Sequence, residues 1–364
     1  SLFQLGILEA LFHVTSFFME VPTGAVADIW GRKASRILSR VLFLFSLGLM
    51  FFSRTFPLQI LGFMVCALNY NLESGAGEAL VYDSLKLLGQ EKRFMKVKGR
   101  QEFLIQTAAI VALLLGGWLA VRNYAFNFGL SALFAVLTIL AGLFFQEPPV
   151  RREAPPRKHG VLRWVASATL AQTASSLAVV RERPRIAFFI LFSELTFVFA
   201  TTSFFYLQNY WKSLGRTELY IGGIFALQCA LSGVTGLFAP AIERRLGERG
   251  ILFTVPLLMA LCLWGIALSP LPALFFIIPG FLEGILVVAV SDYINKLIPS
   301  AYRATILSYQ SMVFSFFMIL LFPAVGFFGE RYGLRYGFIF MAAVATAGAA
   351  CFLIVLIVHN RRCS

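Results

Sequence analysis

A run of about 20 apolar residues is the length of α-helix that crosses the ~30 Å hydrocarbon core of a bilayer, and this chain repeats such runs along most of its length. They begin near Leu2, Ile37, Phe56, Phe103, Tyr124, Ile186, Tyr220, Ile251, Leu271, Thr305 and Leu334, eleven in all. Backbone groups cannot be left unpaired in lipid, so each crossing must be a helix or part of a closed barrel. The weakly alternating segments of barrel strands are not visible, and the Gly and Pro inside the runs are tolerated in membrane helices. Charged residues make up 13% of the 364, where a soluble domain carries about a quarter. The predicted fold class is therefore an all-α integral membrane protein.

The net charge of +13 would suit a nucleic-acid partner if the basic residues formed one continuous face. They lie instead in short clusters between the apolar runs, so no nucleic acid is expected. If the first run passes from outside to inside, alternate loops collect 25 of the 31 Lys and Arg, from Arg32, Lys33, Arg36 and Arg40 to Arg361 and Arg362. Such a bias marks the cytoplasmic side and puts the C-terminus there. The five cysteines show no paired spacing and most lie inside apolar runs, which favours packing over a metal set or disulfides. The longest polar connection divides the chain into residues 1–146, 147–185 and 186–364. Within it, Val161 to Val180 is mildly amphipathic and is expected to lie on an anionic inner leaflet. The flanking segments hold five runs and six. Since the chain begins inside an apolar run, a further helix is expected to precede it.

Between the first two runs stands Gly24-Ala-Val-Ala-Asp28-Ile-Trp-Gly31-Arg32-Lys33, followed by Arg36. Gly24 permits close helix approach, Gly31 a tight turn, and the basic residues anchor a loop at the inner surface. Asp28 at the membrane edge calls for a partner or a helix N-terminus. The pattern resembles the G-x-x-x-D-x-x-G-R-[KR] signature of the major facilitator superfamily, which that family places between its second and third helices. The resemblance implies two six-helix bundles, with eleven of twelve helices in this chain. It also implies a conformational switch comprising Gly24, Asp28, Gly31, Arg32, Lys33, Arg36 and Asp83, an acidic residue ending the next helix but one. Glu20-Val-Pro22-Thr23-Gly24 and Ser74-Gly-Ala-Gly-Glu78-Ala-Leu-Val-Tyr82-Asp83 are similar to a large bacterial subgroup, many of whose members are assigned to drug efflux by similarity. Leu72-Glu73 is echoed by Leu282-Glu283, as parallel repeats would predict.

An ionisable side chain at membrane depth is a functional candidate by default. Glu9, His13, Ser16, Glu20 and Thr23 fall within about 80° of arc at 100° per residue, with Phe18 opposite. Such a stripe must face protein or a water-filled cavity, and His13 is placed to relay protons between the glutamates. Asn69 and Glu73 share a face in the run from Phe56, while Glu194 and Glu283 lie well inside theirs. No Lys or Arg falls near mid-depth, so these carboxylates are expected to lack a fixed counter-ion. Desolvation would then hold them near a protonation balance at neutral pH. Glu9, His13, Glu20, Asn69, Glu73, Glu194 and Glu283 are the predicted coupling and substrate-cavity residues, with Glu73 and Glu283 foremost. Tyr70, Phe204 and Tyr206 could add contact to a cationic substrate.

In antiporters of the superfamily the fifth helix carries G-x-x-x-G-P-x-x-G-G. Here the aligned stretch keeps Gly116 and Gly117 for helix packing but has Ala108, Ala112 and Leu113 elsewhere, so the proline kink is lost. The reading that emerges is a monomeric, proton-coupled exporter of small amphipathic or cationic compounds in a bacterial inner membrane. The alternative is a nutrient, metal-chelate or siderophore transporter on the same fold. No HExxH, GxSxG or clustered His/Cys set is present, so neither an enzyme, a cofactor nor a metal centre is expected.

Overall fold

A computed structural model describes residues 2–147, 171, 174–175 and 177–363. The side chains of some helical residues, Asp28 and Gly117 among them, fall outside the description, as does most of the amphipathic stretch expected at 161–180. No strand occurs among the described residues. The long helices are α1 (Leu2–Trp30), α2 (Arg32–Phe52), α3 (Phe56–Leu87), α4 (Phe94–Arg122), α5 (Ala125–Leu143), α6 (Pro184–Ser213) and α7 (Glu218–Leu268). They are followed by α8 (Pro272–Ile285), a π-helical turn at Leu286–Val290, α9 (Ser291–Leu297), α10 (Arg303–Tyr332) and α11 (Leu334–Cys363).

Two breaks depend on glycine conformation. Gly31 separates α1 from α2 at φ 113°, a region closed to most side chains. Gly247 interrupts α7 at φ 64° and ψ 173°. As one rod the 51 residues of α7 would extend about 76 Å, far more than a bilayer core. The break leaves residues 218–246 and 248–268, each long enough to cross, which accommodates the two runs expected from Tyr220 and Ile251. Seven segments among the described residues are long and apolar enough to cross a membrane, α7 being counted as one. α1, α3 and α4, at 29, 32 and 29 residues, have the length as well.

Two starts differ from the sequence reading. α2 begins at Arg32 rather than Ile37, and α4 at Phe94 rather than Phe103. In both cases polar residues assigned to loops belong to the first helical turns, because apolar runs mark the lipid-immersed part of a helix and not its ends.

Two compact units are distinguished, and neither is a contiguous half of the chain. The first comprises Ser1–Phe94, Leu119–Glu194 and Tyr293–Ile319. In it α3 packs on α1 and α2, and α2 on α5. Small residues set the spacing: Gly142 of α5 meets Ile37 of α2, and Gly24 of α1 lies directly against Ser308 of α10. The second unit comprises Met95–Trp118, Leu195–Asp292 and Leu320–Ser364. Here α7 packs on α8 and α11 around Trp211, Phe225 and Phe276, whose rings meet at 5.3 to 6.1 Å. Gly99 of α4 abuts the Gly236 carbonyl of α7, and Gly280 and Gly284 of α8 abut the carbonyls of Gln228 and Ser232. Away from these cores Phe45, Phe134 and Leu261 stand more than half exposed, as suits side chains solvated by lipid.

Candidate functional site

Of the signature residues, Arg32 meets Asp83, at the end of α3. Its carboxylate is buried and receives the guanidinium of Arg32 on one oxygen and that of Arg303, at the start of α10, on the other. Arg32 also donates to the Ala79 carbonyl (2.8 Å), and Arg303 to the carbonyls of Ile298 (2.7 Å) and Asn295 (3.2 Å). The Tyr82 ring lies under Arg303 at 4.3 Å, and the Asn295 amide donates to Glu78 (2.5 Å). Two buried cations on one carboxylate are tolerable because these acceptors solvate most of the remaining N–H groups, although the Arg303 Nε is buried without a partner. The Glu147 carboxylate accepts the Arg32 backbone N–H (2.5 Å) at the N-terminus of α2, where the helix dipole favours an anion. Lys33 donates to the Leu143 carbonyl (2.7 Å).

Arg303 and Glu147 were not among the residues expected here. A topology-setting arginine in a connection carries no local signal that its partner lies 220 positions away. Asp28 was expected here too, but its side chain lies outside the described residues.

Glu73 departs from expectation. Its carboxylate pairs with Arg36 (2.9 Å) and Arg40 (3.5 Å), so it does not lack a counter-ion. Because α2 begins at Arg32, Arg36 and Arg40 stand one and two turns into the helix on the face that meets α3. Lys33, Arg36, Arg40 and Glu73 line a small recess closed by Thr138, Gly142 and Phe145. Asn69, with its amide oriented to satisfy both neighbours, donates to the Ser39 carbonyl of α2 at 2.8 Å. Both residues thus face α2.

The α1 stripe is turned inward. His13, Ser16, Glu20 and Thr23 are buried, Glu9 is half-buried, and Phe18 is 69% exposed. Ser16 donates to Asn71 on α3 (2.6 Å), and Ser74 donates to one oxygen of Glu20. His13 sits between the rings of Phe12 and Phe314, at 5.3 and 5.8 Å, and its Nδ1 has no hydrogen-bond partner. The expected relay from His13 to a glutamate is not formed among the described residues.

Glu194, buried in the first unit, accepts from Gln310 (2.7 Å) and Ser193 (3.0 Å). Glu283, in the second unit, accepts from the Gln228 amide on both oxygens (3.0 and 2.9 Å). Among the described residues no Lys or Arg forms an ion pair with Glu9, Glu20, Glu194 or Glu283. Glu102 is a buried carboxylate the sequence reading missed: it sits one residue before the expected start of its run and accepts from Gln106 (2.7 Å) and Ser232 (3.3 Å).

The aromatic residues divide. Tyr70 is 53% exposed. Phe204 stacks on Phe225 at 4.3 Å, and the Tyr206 hydroxyl donates to the Phe322 carbonyl (2.9 Å). Among the described residues, a methyl group built at Gly116 would meet nothing within 4 Å. Gly117 lies outside the described side chains.

Long apolar helices with charge clusters at their ends and bare carboxylates in their interior define a multi-pass membrane transporter scaffold. The family model described as "Major Facilitator Superfamily" matches residues 1–320, and the chain belongs to that superfamily, whose members are secondary transporters. It is 26% identical over 351 residues to the uncharacterized MFS-type transporter YxaM of Bacillus subtilis (strain 168), covering 93% of this chain and 84% of that one. The fold is similar to the crystal structure of the human organic anion transporter MFSD10 (TETRAN), with a TM-score of 0.72 at 18% identity over 95% of this chain and 83% of that one. It is also similar to the E. coli fucose:proton symporter FucP, with a TM-score of 0.70 at 15% identity over 96% and 90%.

Proposed function

We propose that this chain is a proton-coupled exporter of small amphipathic or cationic organic compounds, working by alternating access as a monomer in a bacterial cell membrane. The observation that carries the coupling is the set of interior carboxylates, Glu194 and Glu283 foremost, held by amides and a hydroxyl and, among the described residues, by no basic side chain. Such a group is neutral when protonated and an uncompensated anion when not. Its protonation therefore changes the free energy of whichever conformation buries it. Glu73 leaves this set because its arginines already neutralise it.

The switch is assigned to Asp83 with Arg32 and Arg303. In a division into bundles at 1–146 and 186–364, Asp83 and Arg32 belong to one bundle and Arg303 to the other. Rocking of the bundles would then part Arg303 from Asp83 while leaving Arg32 in place. The positive-inside bias puts this cluster, the segment 147–185 and the C-terminus on the cytoplasmic side, so the intact cluster closes that side.

Leu113, where antiporters carry proline, and the fold likeness to a fucose:proton symporter both favour the alternative of a nutrient, metal-chelate or siderophore carrier. One assay separates the readings. Proteoliposomes of the full-length protein are given a lipophilic cation such as ethidium, with and without an imposed pH gradient. Export by proton exchange predicts faster accumulation on the acidic side of the membrane. Equal rates under both conditions would remove proton coupling.

A further inference from the structure

The inner end of the α1 stripe is a cage of oxygen atoms around a single charge. Glu20 is fully buried; one carboxylate oxygen accepts from Ser74, and the other, Oε2, has no hydrogen-bond partner. Ser308, on α10, is also fully buried, and its hydroxyl is likewise without a partner. It lies against Gly24, one turn of α1 beyond Glu20. The hydroxyls of Ser16, Ser308 and Ser311 all stand beside the Glu20 carboxyl, and Ser16 is held in place by Asn71, which accepts from its hydroxyl (2.6 Å) and donates to its carbonyl (3.0 Å). Three helices thus contribute one carboxylate and four hydroxyls to one point, and two of those oxygens are orphaned there. Buried polar atoms without partners are uncommon and call for a specific explanation, an ion among them.

The chemistry of the donors narrows the ion. Every group directed at the point is a hard oxygen, with no thiolate or imidazole nitrogen bonded to the cage, which disfavours transition metals. There is one negative charge, whereas divalent sites are built from more carboxylates together with carbonyls or waters. A monovalent cation neutralises Glu20 and leaves no surplus. Other titratable groups on these three helices include Glu9 and His13 on α1, Tyr70, Glu73, Glu78 and Asp83 on α3, and Arg303 and Tyr309 on α10, with Tyr70 within the field of both Glu20 and Glu194. We propose that Glu20, Ser16, Ser74, Ser308 and Ser311 form a binding site for a hard monovalent cation such as sodium.

This rests on the transporter reading only for what the ion would drive; binding itself is measured without substrate and without a pH gradient. The full-length protein, purified in choline chloride at constant pH, is titrated with ²²Na⁺ and competed with unlabelled sodium, lithium and potassium. Saturable binding near one ion per chain is expected, displaced by sodium at least tenfold better than by potassium. Ser308→Ala should weaken it about tenfold, and Glu20→Gln should abolish it. Ser311→Ala provides a second, milder variant should Ser308→Ala fold poorly. Absence of saturable ²²Na⁺ binding in the unmodified protein, or binding unchanged in Glu20→Gln, would overturn the site. So would a melting temperature that responds to pH and not to sodium, since a proton alone would then occupy Glu20. Failure of any of these leaves the proton-coupled reading of Glu194 and Glu283 intact, and failure of the pH-gradient assay leaves the ion site intact.

Discussion

Asp83 is the residue on which the proposed switch centres. Its carboxylate is the shared counter-ion of two buried guanidiniums, and removing one member of a buried ion pair strands the charge that remains. Asp83→Asn should therefore lower stability by about 3 kcal/mol, the low end of the usual 3–5 because backbone carbonyls still accept from both arginines. Thermal unfolding in detergent checks this, and a loss under about 1 kcal/mol would mean that those carbonyls suffice alone. Arg32 and Asp83 were legible as partners because the signature fixes the loop and the carboxylate ends a helix. Arg303 was not legible, since pairing across 220 residues is a product of folding with no local pattern. Glu73 shows a related limit. Periodicity assigned it a face, but only packing determined that α2, with Arg36 and Arg40, covers that face.

For the helices and their breaks, the apolar runs gave the order of the long helices along the chain and failed at their ends. α2 and α4 each begin before their runs do, which is why Arg36 was placed in a loop and Glu102 was passed over. The glycines divide by geometry in a way that composition does not predict. Gly31 combines a positive φ with the Glu147 carboxylate where a side chain would start, whereas a methyl group at Gly116 would meet no described atom within 4 Å. Gly31→Ala should destabilise by about 1–2 kcal/mol from the backbone alone and should displace Glu147 from the α2 N-terminus. Gly116→Ala should be neutral or stabilising by a few tenths of a kcal/mol, since alanine is the better helix former. Melting temperatures of the two variants side by side check the contrast, and a larger loss in Gly116→Ala would restore the packing role inferred from sequence. Close packing against a neighbouring helix occurs at Gly99, Gly236, Gly280 and Gly284. Sequence could mark all of these as small but could not say which of them meet another backbone.

For the molecule as a whole, class and family were legible because they follow from quantities summed over the chain: apolar run length, charge placement and one specific loop. Transport chemistry depends on single carboxylates and was less legible, since burial identified them while pairing decided which stay bare. The account's central claim is that protons move against substrate through those that remain, Glu194 and Glu283. The most direct test records both fluxes in one population of vesicles, with a pH-sensitive dye trapped inside and ethidium added outside. Inward movement of ethidium should raise the internal pH. In Glu194→Gln and Glu283→Gln, substrate exchange should persist without a pH change, because glutamine keeps the hydrogen-bonding neighbours and cannot titrate. Ethidium uptake by the unmodified protein with no change in internal pH, or with acidification, would contradict the account.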